Sequence, residues 1–199
     1  MKNLITLVFC VFCLFTSFSV SQTSMTVAGV LFDSTVKVGG STLALNGAGV
    51  RTKSMFKIYA AGLYLTKSTT TTADVLALSG AKRLKIVMLR DTSSEDLGNN
   101  FMTAINSNTT KEERTKLVSS IAQFSALFET EATLKKSDVV SLDWLPGSGL
   151  QCALNNRKVG GFIGDAAFYQ ALLKVWIGGR PVDAGLRAAL ISGNPEVSR

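Results

Sequence analysis

The chain has 199 residues, 46% of them hydrophobic, with 21 Lys and Arg against 14 Asp and Glu and a formal net charge of +7. That is enough chain for one domain with a full core, and the composition excludes disordered and collagen-like classes. The chain has no histidine, which removes the commonest general base and the commonest metal ligand, and its basic residues do not form runs interleaved with aromatics. No metal, no cofactor and no nucleic acid are therefore expected.

The first segment, "MKNLITLVFCVFCLFTSFSVSQ", places Lys2 before an apolar block from Leu4 to Phe15 and then small residues at Ser17, Ser19 and Ser21. That order describes a secretory signal peptide. The block falls short of the about 20 residues of a transmembrane helix. The expected organisation is a signal peptide over 1–22 and one domain over 23–199. The domain is then exported, to the periplasm, with no stable membrane anchor after cleavage. Cys10 and Cys13 leave with the leader, so Cys152 has no partner for an internal disulfide. In "GLQCALN" it alternates in step with Leu150 and Leu154, as a core thiol does.

The domain opens with strand signals. "TVKVGGSTLALNG" is two alternating runs joined by Gly39–Gly40, the pattern of a tight hairpin. "SMFKIYAAGLYLT" continues as a long strand, with Tyr59, Ala61, Leu63 and Leu65 on one face and Ile58, Ala60, Gly62 and Tyr64 on the other. Its small residues Ala60, Ala61 and Gly62 let a backbone or a ligand approach. "KSTTTTADVLALSG" reads as a loop and a short helix, and "KRLKIVMLRD" as a strand. Arg90 and Asp91 at its end suggest a structural ion pair.

Two helices are predicted next. "SSEDLGNNFMTAIN" begins with a serine cap and early acids. "TKEERTKLVSSIAQFSALFE" sets Leu117, Ile121, Phe124 and Phe128 on one face. Strands return in "DVVSLDWLPG", "GLQCALNN" and "RKVGGFIG", the last two turning at Asn155–Asn156. A helix follows with Asp165 as cap and Phe168, Leu172, Val175 and Trp176 on its apolar face. Gly178–Gly179 stops it, and a last helix starts near Pro181. Strands, helices, strands, helices: the class is α+β, with helices packed on an antiparallel sheet. Ser119 and Ser120 have no histidine to activate them and no GxSxG setting, and "GGFIGD" lacks the spacing of a phosphate loop.

Three stretches, "LNGAGVRTKSMFKIYAAGLYL", "MLRD" ending a strand and "ALLKVWIGGRPVD", together resemble the chalcone isomerase family, and most closely its bacterial exported chalcone-isomerase-like branch. The resemblance implies an open-faced β-sandwich, a large antiparallel sheet with a layer of helices. True chalcone isomerases close a flavanone ring with an arginine, a threonine, a tyrosine, an asparagine and a further hydroxyl-bearing residue. The arginine corresponds to Arg51. The threonine of the strand falls at Tyr59, the tyrosine and asparagine of the middle helix near Arg114 and Ile121, and the final threonine at Val175, beside Trp176. The arginine is kept, and the chain departs at most of the other catalytic positions. "IYAAGLY" is instead similar to the fatty-acid-binding members, in which an arginine and a tyrosine are thought to hold the carboxylate.

A guanidinium offers a planar fork that matches two carboxylate oxygens, and a phenol adds one donor from an apolar wall. Spacing alone leaves a structural role equally open, with Arg51 paired to an acid such as Asp91. The resemblance implies a ligand site of Arg51, Tyr59, Trp176 and Val175 that holds a fatty acid or similar amphipathic acid. The expected function is that of an exported, non-catalytic binding protein. The alternative is an isomerase or intramolecular lyase that polarises an enone-like substrate with Arg51.

Overall fold

The computed structural model describes residues 24–129 and 131–193. The expected leader, and any cleavage near Ser21, lie outside the described residues. The first strands form a small hairpin, β1 (Met25–Val27) with β2 (Val30–Phe32), which the sequence reading did not anticipate. β3 (Thr35–Val38) and β4 (Ser41–Lys53) then turn at Gly39–Gly40, both at positive φ, where glycine carries no Cβ penalty. β5 (Phe56–Leu65) and β6 (Lys82–Met88) continue the sheet, and α1 (Thr72–Ala77) lies between them in sequence.

β7 (Thr92–Ser93) leads into α2 (Ser94–Asn108), capped by the Ser93 hydroxyl. In α3 (Lys111–Ala126), Thr110 and Glu113 satisfy each other's backbone N–H groups in a capping box. A 3-10 turn (Leu127–Glu129) and β8 (Thr133–Leu134), which pairs with β7, return the chain to the sheet. There β9 (Val139–Leu145), β10 (Gly149–Leu154) and β11 (Arg157–Ile163) follow as a meander. Asn155 and Asn156, both at positive φ, make the last turn. α4 (Ala166–Ile177) and α5 (Ala184–Leu190) close the domain, capped by Asp165 and Asp183.

The large sheet has seven strands in the order β11-β10-β9-β6-β5-β4-β3, every neighbouring pair antiparallel. The helices lie on one face. α4 packs against β10 and is buried almost all round from Phe168 on, including Phe168, Leu172, Val175 and Trp176. The α+β class and the open-faced layering expected from the sequence are therefore observed.

The alternation on β5 is observed as well. Tyr59, Ala61, Leu63 and Leu65 join the core under the helices, whereas Ala60 and Tyr64 join a second core on the outer face. The β1–β2 hairpin covers that outer face. The close approach expected at Gly62 is made neither by a backbone nor by a ligand. The Phe32 ring rests there, and a Cβ on Gly62 would stand 2.5 Å from it. β4 solves a similar problem on the helix side. Gly47 and Gly49 lie under α5, and a Cβ on either would strike Ala189. Between them and Leu45 the strand bulges at Asn46. The buried Asn46 amide donates to the Leu190 carbonyl and accepts from Thr69 N–H, both at 2.8 Å. These contacts hold α5 against β4 from Asn46 to Gly49.

Candidate functional site

Arg51 and Tyr59 stand directly opposite each other in the β4–β5 register and face the helices. Asp183, the first acid beyond α4, is not a partner for Arg51. Its carboxylate accepts from Thr52 N–H and Leu186 N–H, each at 2.8 Å, and so ties the start of α5 to β4. Asp91, the other acid considered, is exposed and pairs with Lys135 at 3.2 Å while also accepting from Lys136 N–H. Arg90 and Asp91 therefore do not form the ion pair expected of them, since Arg90 lies over the Phe56 ring, 4.5 Å from its centroid.

Among the described residues no carboxylate forms an ion pair with Arg51. The side chain is 7% exposed, and its Nε is buried with no hydrogen-bond partner. Its polar neighbour is Tyr59, whose ring centroid lies 5.5 Å from the guanidinium carbon. A buried guanidinium N–H without an acceptor costs roughly 1–3 kcal/mol, so a core that needed only packing would have placed an aliphatic residue here.

Tyr59 is oriented from the helix side. Trp176 Nε1, on α4, donates to the Tyr59 hydroxyl oxygen at 2.8 Å. That bond uses the phenol as an acceptor and leaves its own proton available for donation. Burial raises the Tyr59 pKa above 10.0, against the opposing pull of the Arg51 charge. The group is therefore a neutral hydroxyl at physiological pH, suited to donate a hydrogen bond and unsuited to act as a base.

Arg51 and Tyr59 open onto a cavity of about 130 Å³ between sheet and helices. Ile86, Met88, Leu142 and Cys152 form its floor, and Leu97, Phe101, Phe124 and Phe128 form its roof. Val175, Trp176 and Val182 close the side next to Arg51, while Glu131, Leu134, Leu154 and Val159 line the opposite rim. The structure thus brings all four sequence-predicted residues, Arg51, Tyr59, Trp176 and Val175, onto one cavity wall. Tyr64 lies across the sheet in the outer core, as its strand face requires.

Two alignments from the sequence do not reach the cavity. Arg114 donates to the Thr109 carbonyl at the helix junction, and Ile121 packs in the core without lining the space. The residues that α2 and α3 do present there are Leu97, Phe101 and Phe124, with Asn100 and Ser94 as the polar members. The Asn100 amide donates to the Asp96 carbonyl at 2.5 Å, as an ordinary helix-surface asparagine does, and nothing in the sequence marks it as a lining residue. Cys152 is a core thiol as expected. It also forms part of the floor, and burial, with Asp143 second, pushes its pKa up to about 12. Among the described residues no three His, Cys, Asp or Glu side chains converge.

A cavity that is apolar over nearly its whole wall, with one unpaired cation and one phenol at one end, suits an acid with a hydrocarbon tail.

The family model described as chalcone isomerase-like matches residues 24–192, and the chain belongs to that family. No curated protein sequence matches. The fold is similar to the crystal structure of a fatty-acid binding protein from Arabidopsis thaliana. The TM-score is 0.65 over 83% of this chain and 93% of that one, at 17% identity. At that identity the likeness concerns the fold.

Proposed function

We propose that this member of the chalcone isomerase-like family is an exported, non-catalytic binding protein that holds a fatty acid or similar small amphipathic acid. The observation that carries the reading is Arg51, a buried cation without a carboxylate partner at the end of an apolar cavity. Arg51 meets the acid group, Tyr59 donates a further hydrogen bond, Trp176 fixes the phenol, and Val175 packs beside the first methylenes. The fatty-acid binding of the Arabidopsis thaliana protein of similar fold supports this choice of ligand. The apolar leader segment, read as a signal peptide, supports export.

The alternative, an isomerase acting on an enone-like substrate, has less to work with. Tyr59 stays protonated, and the positions matched to the catalytic tyrosine and asparagine lie away from the cavity.

Native mass spectrometry of the purified protein, followed by denaturing extraction, tests the reading. A fatty acid present at one per chain and absent from an Arg51→Ala variant is the expected result. Equal occupancy in the variant would remove Arg51 from the binding site and the reading with it.

A further inference from the structure

The β4–β5 hairpin ends in Lys53-Ser54-Met55-Phe56-Lys57, with Ser54 at positive φ. Met55 is 84% exposed and Phe56 52%, the two together forming an apolar point at the tip. Arg90 covers one side of the Phe56 ring. The strand registers place the ends of β4, β6 and β10 and the starts of β5, β9 and β11 at the same end of the sheet. The cavity rim at Leu134, Leu154 and Val159 lies at this end too.

The charges here are unequal. Several acids of this end are held locally: Asp91 by Lys135 and the Lys136 N–H, Asp138 by Lys135 N–H and the Asn155 amide, Glu131 by Arg157, whereas Glu95, Asp96 and Glu129 beside β7–β8 form no ion pair among the described residues. Asp183, behind the tip, is held by two backbone N–H groups. Lys53, Lys57, Arg90, Lys136 and Lys158 form no ion pair among the described residues. An apolar point ringed by unpaired cations has the chemistry of a segment that enters an anionic bilayer surface, with the apolar side chains among the acyl chains and the cations at the phosphates.

We infer that this end of the sheet docks on an anionic lipid surface, with Met55 and Phe56 inserted and Lys53, Lys57 and Arg90 against the headgroups. The docking stands on the tip and its charges. Its use, to present the cavity rim to a membrane as the source or destination of the ligand, rests on the binding reading above.

The test uses the full chain carrying Met55→Trp, on phosphatidylcholine vesicles with and without phosphatidylglycerol, the acyl chains brominated. Bromine quenches only an indole that reaches the acyl region, and Trp144 and Trp176 are buried and supply a constant background. Leu31→Trp is the control, since Leu31 is exposed on the outer-face hairpin, and it reports attachment by any other part of the chain. Quenching is expected at position 55 and not at 31, and only with phosphatidylglycerol present. Adding Phe56→Asp should abolish it, and adding Lys53→Glu with Lys57→Glu should weaken vesicle binding at least about 30-fold. Equal quenching at both positions, or none at 55, or indifference to phosphatidylglycerol, would overturn the inference. Dodecanoate binding measured in solution separates the two readings. Its absence in a chain whose tip is quenched sinks the carrier and leaves the docking standing, and the converse holds.

Discussion

Trp176 donates its indole N–H to the Tyr59 hydroxyl oxygen at 2.8 Å, so a helix residue fixes the orientation of a strand phenol. The bond serves both stability and binding. Tyr59→Phe should strand the buried indole N–H and destabilise the fold by about 1–3 kcal/mol. It should also weaken acid binding roughly tenfold or more, since a hydrogen bond to a charged group is lost. Trp176→Phe keeps the phenolic proton, so binding should fall less than in Tyr59→Phe. Urea melts and calorimetry on both variants and the double variant check this, and the two stability losses should be clearly less than additive.

Gly62 and Phe32 form a contact that no side chain at position 62 can share. A Cβ there would lie 2.5 Å from the ring, and the ring sits at 0% exposure between the hairpin and the sheet. Gly62→Ala should cost about 1–3 kcal/mol through overpacking. Adding Phe32→Leu should recover part of that cost, so the double variant should unfold at a higher urea concentration than the sum of the single losses requires.

Burial, with Asp143 second, pushes the Cys152 thiol up to about 12 from 9.0. The folded state therefore keeps its proton in a range where the unfolded chain loses it. The stability this contributes is complete below pH 9 and is lost as pH rises from 9 through 12. The buried tyrosines add the same trend only above their unfolded value of 10.0. Between pH 8 and 10 the stability gap between the wild type and Cys152→Ala should narrow by about 1.4 kcal/mol. Parallel curves would mean that the thiol ionises as readily inside as outside. The same protonated thiol should react slowly with alkylating reagents at pH 8.

A cavity of about 130 Å³ is close to the size that accepts one benzene ring, about six carbons. In a series of straight-chain acids the affinity should rise about fourfold per methylene while carbons fill the cavity, and flatten once the tail reaches the rim at Leu134, Leu154 and Val159. Displacement of a fluorescent acid across the series measures this. An unbroken rise through sixteen carbons would show that the aromatic roof of Phe101, Phe124 and Phe128 yields to the ligand.

Much of this was legible in the sequence, for reasons that differ by element. Alternation on β5 assigned Tyr59 and Tyr64 to opposite faces correctly, because a side-chain period of two leaves no freedom once a strand is recognised. Helix caps at Ser93 and Asp165 coincide with polar residues before apolar runs, a local signal that tertiary packing rarely overrides, whereas the last helix begins at Ala184 with Asp183 as its cap and not near Pro181. The β1–β2 hairpin was not legible, since strands of three residues carry too little alternation to register. The convergence of Arg51, Tyr59, Trp176 and Val175 came from the family resemblance. Residues 117 or more positions apart, such as Tyr59 and Trp176, leave no trace of contact in spacing. The middle-helix positions failed because a shift of one turn along α3 changes which side chain faces the cavity.

Recognition of a carboxylate by Arg51 is central to the proposed binding. Its most direct test is calorimetric titration of the protein with dodecanoate and with methyl dodecanoate, which share a tail and differ in the charged group. Dodecanoate should bind at least about tenfold more tightly than the ester, and Arg51→Ala should erase that preference while the fold melts normally. Equal affinity for acid and ester, or a preference that survives Arg51→Ala, would contradict the account.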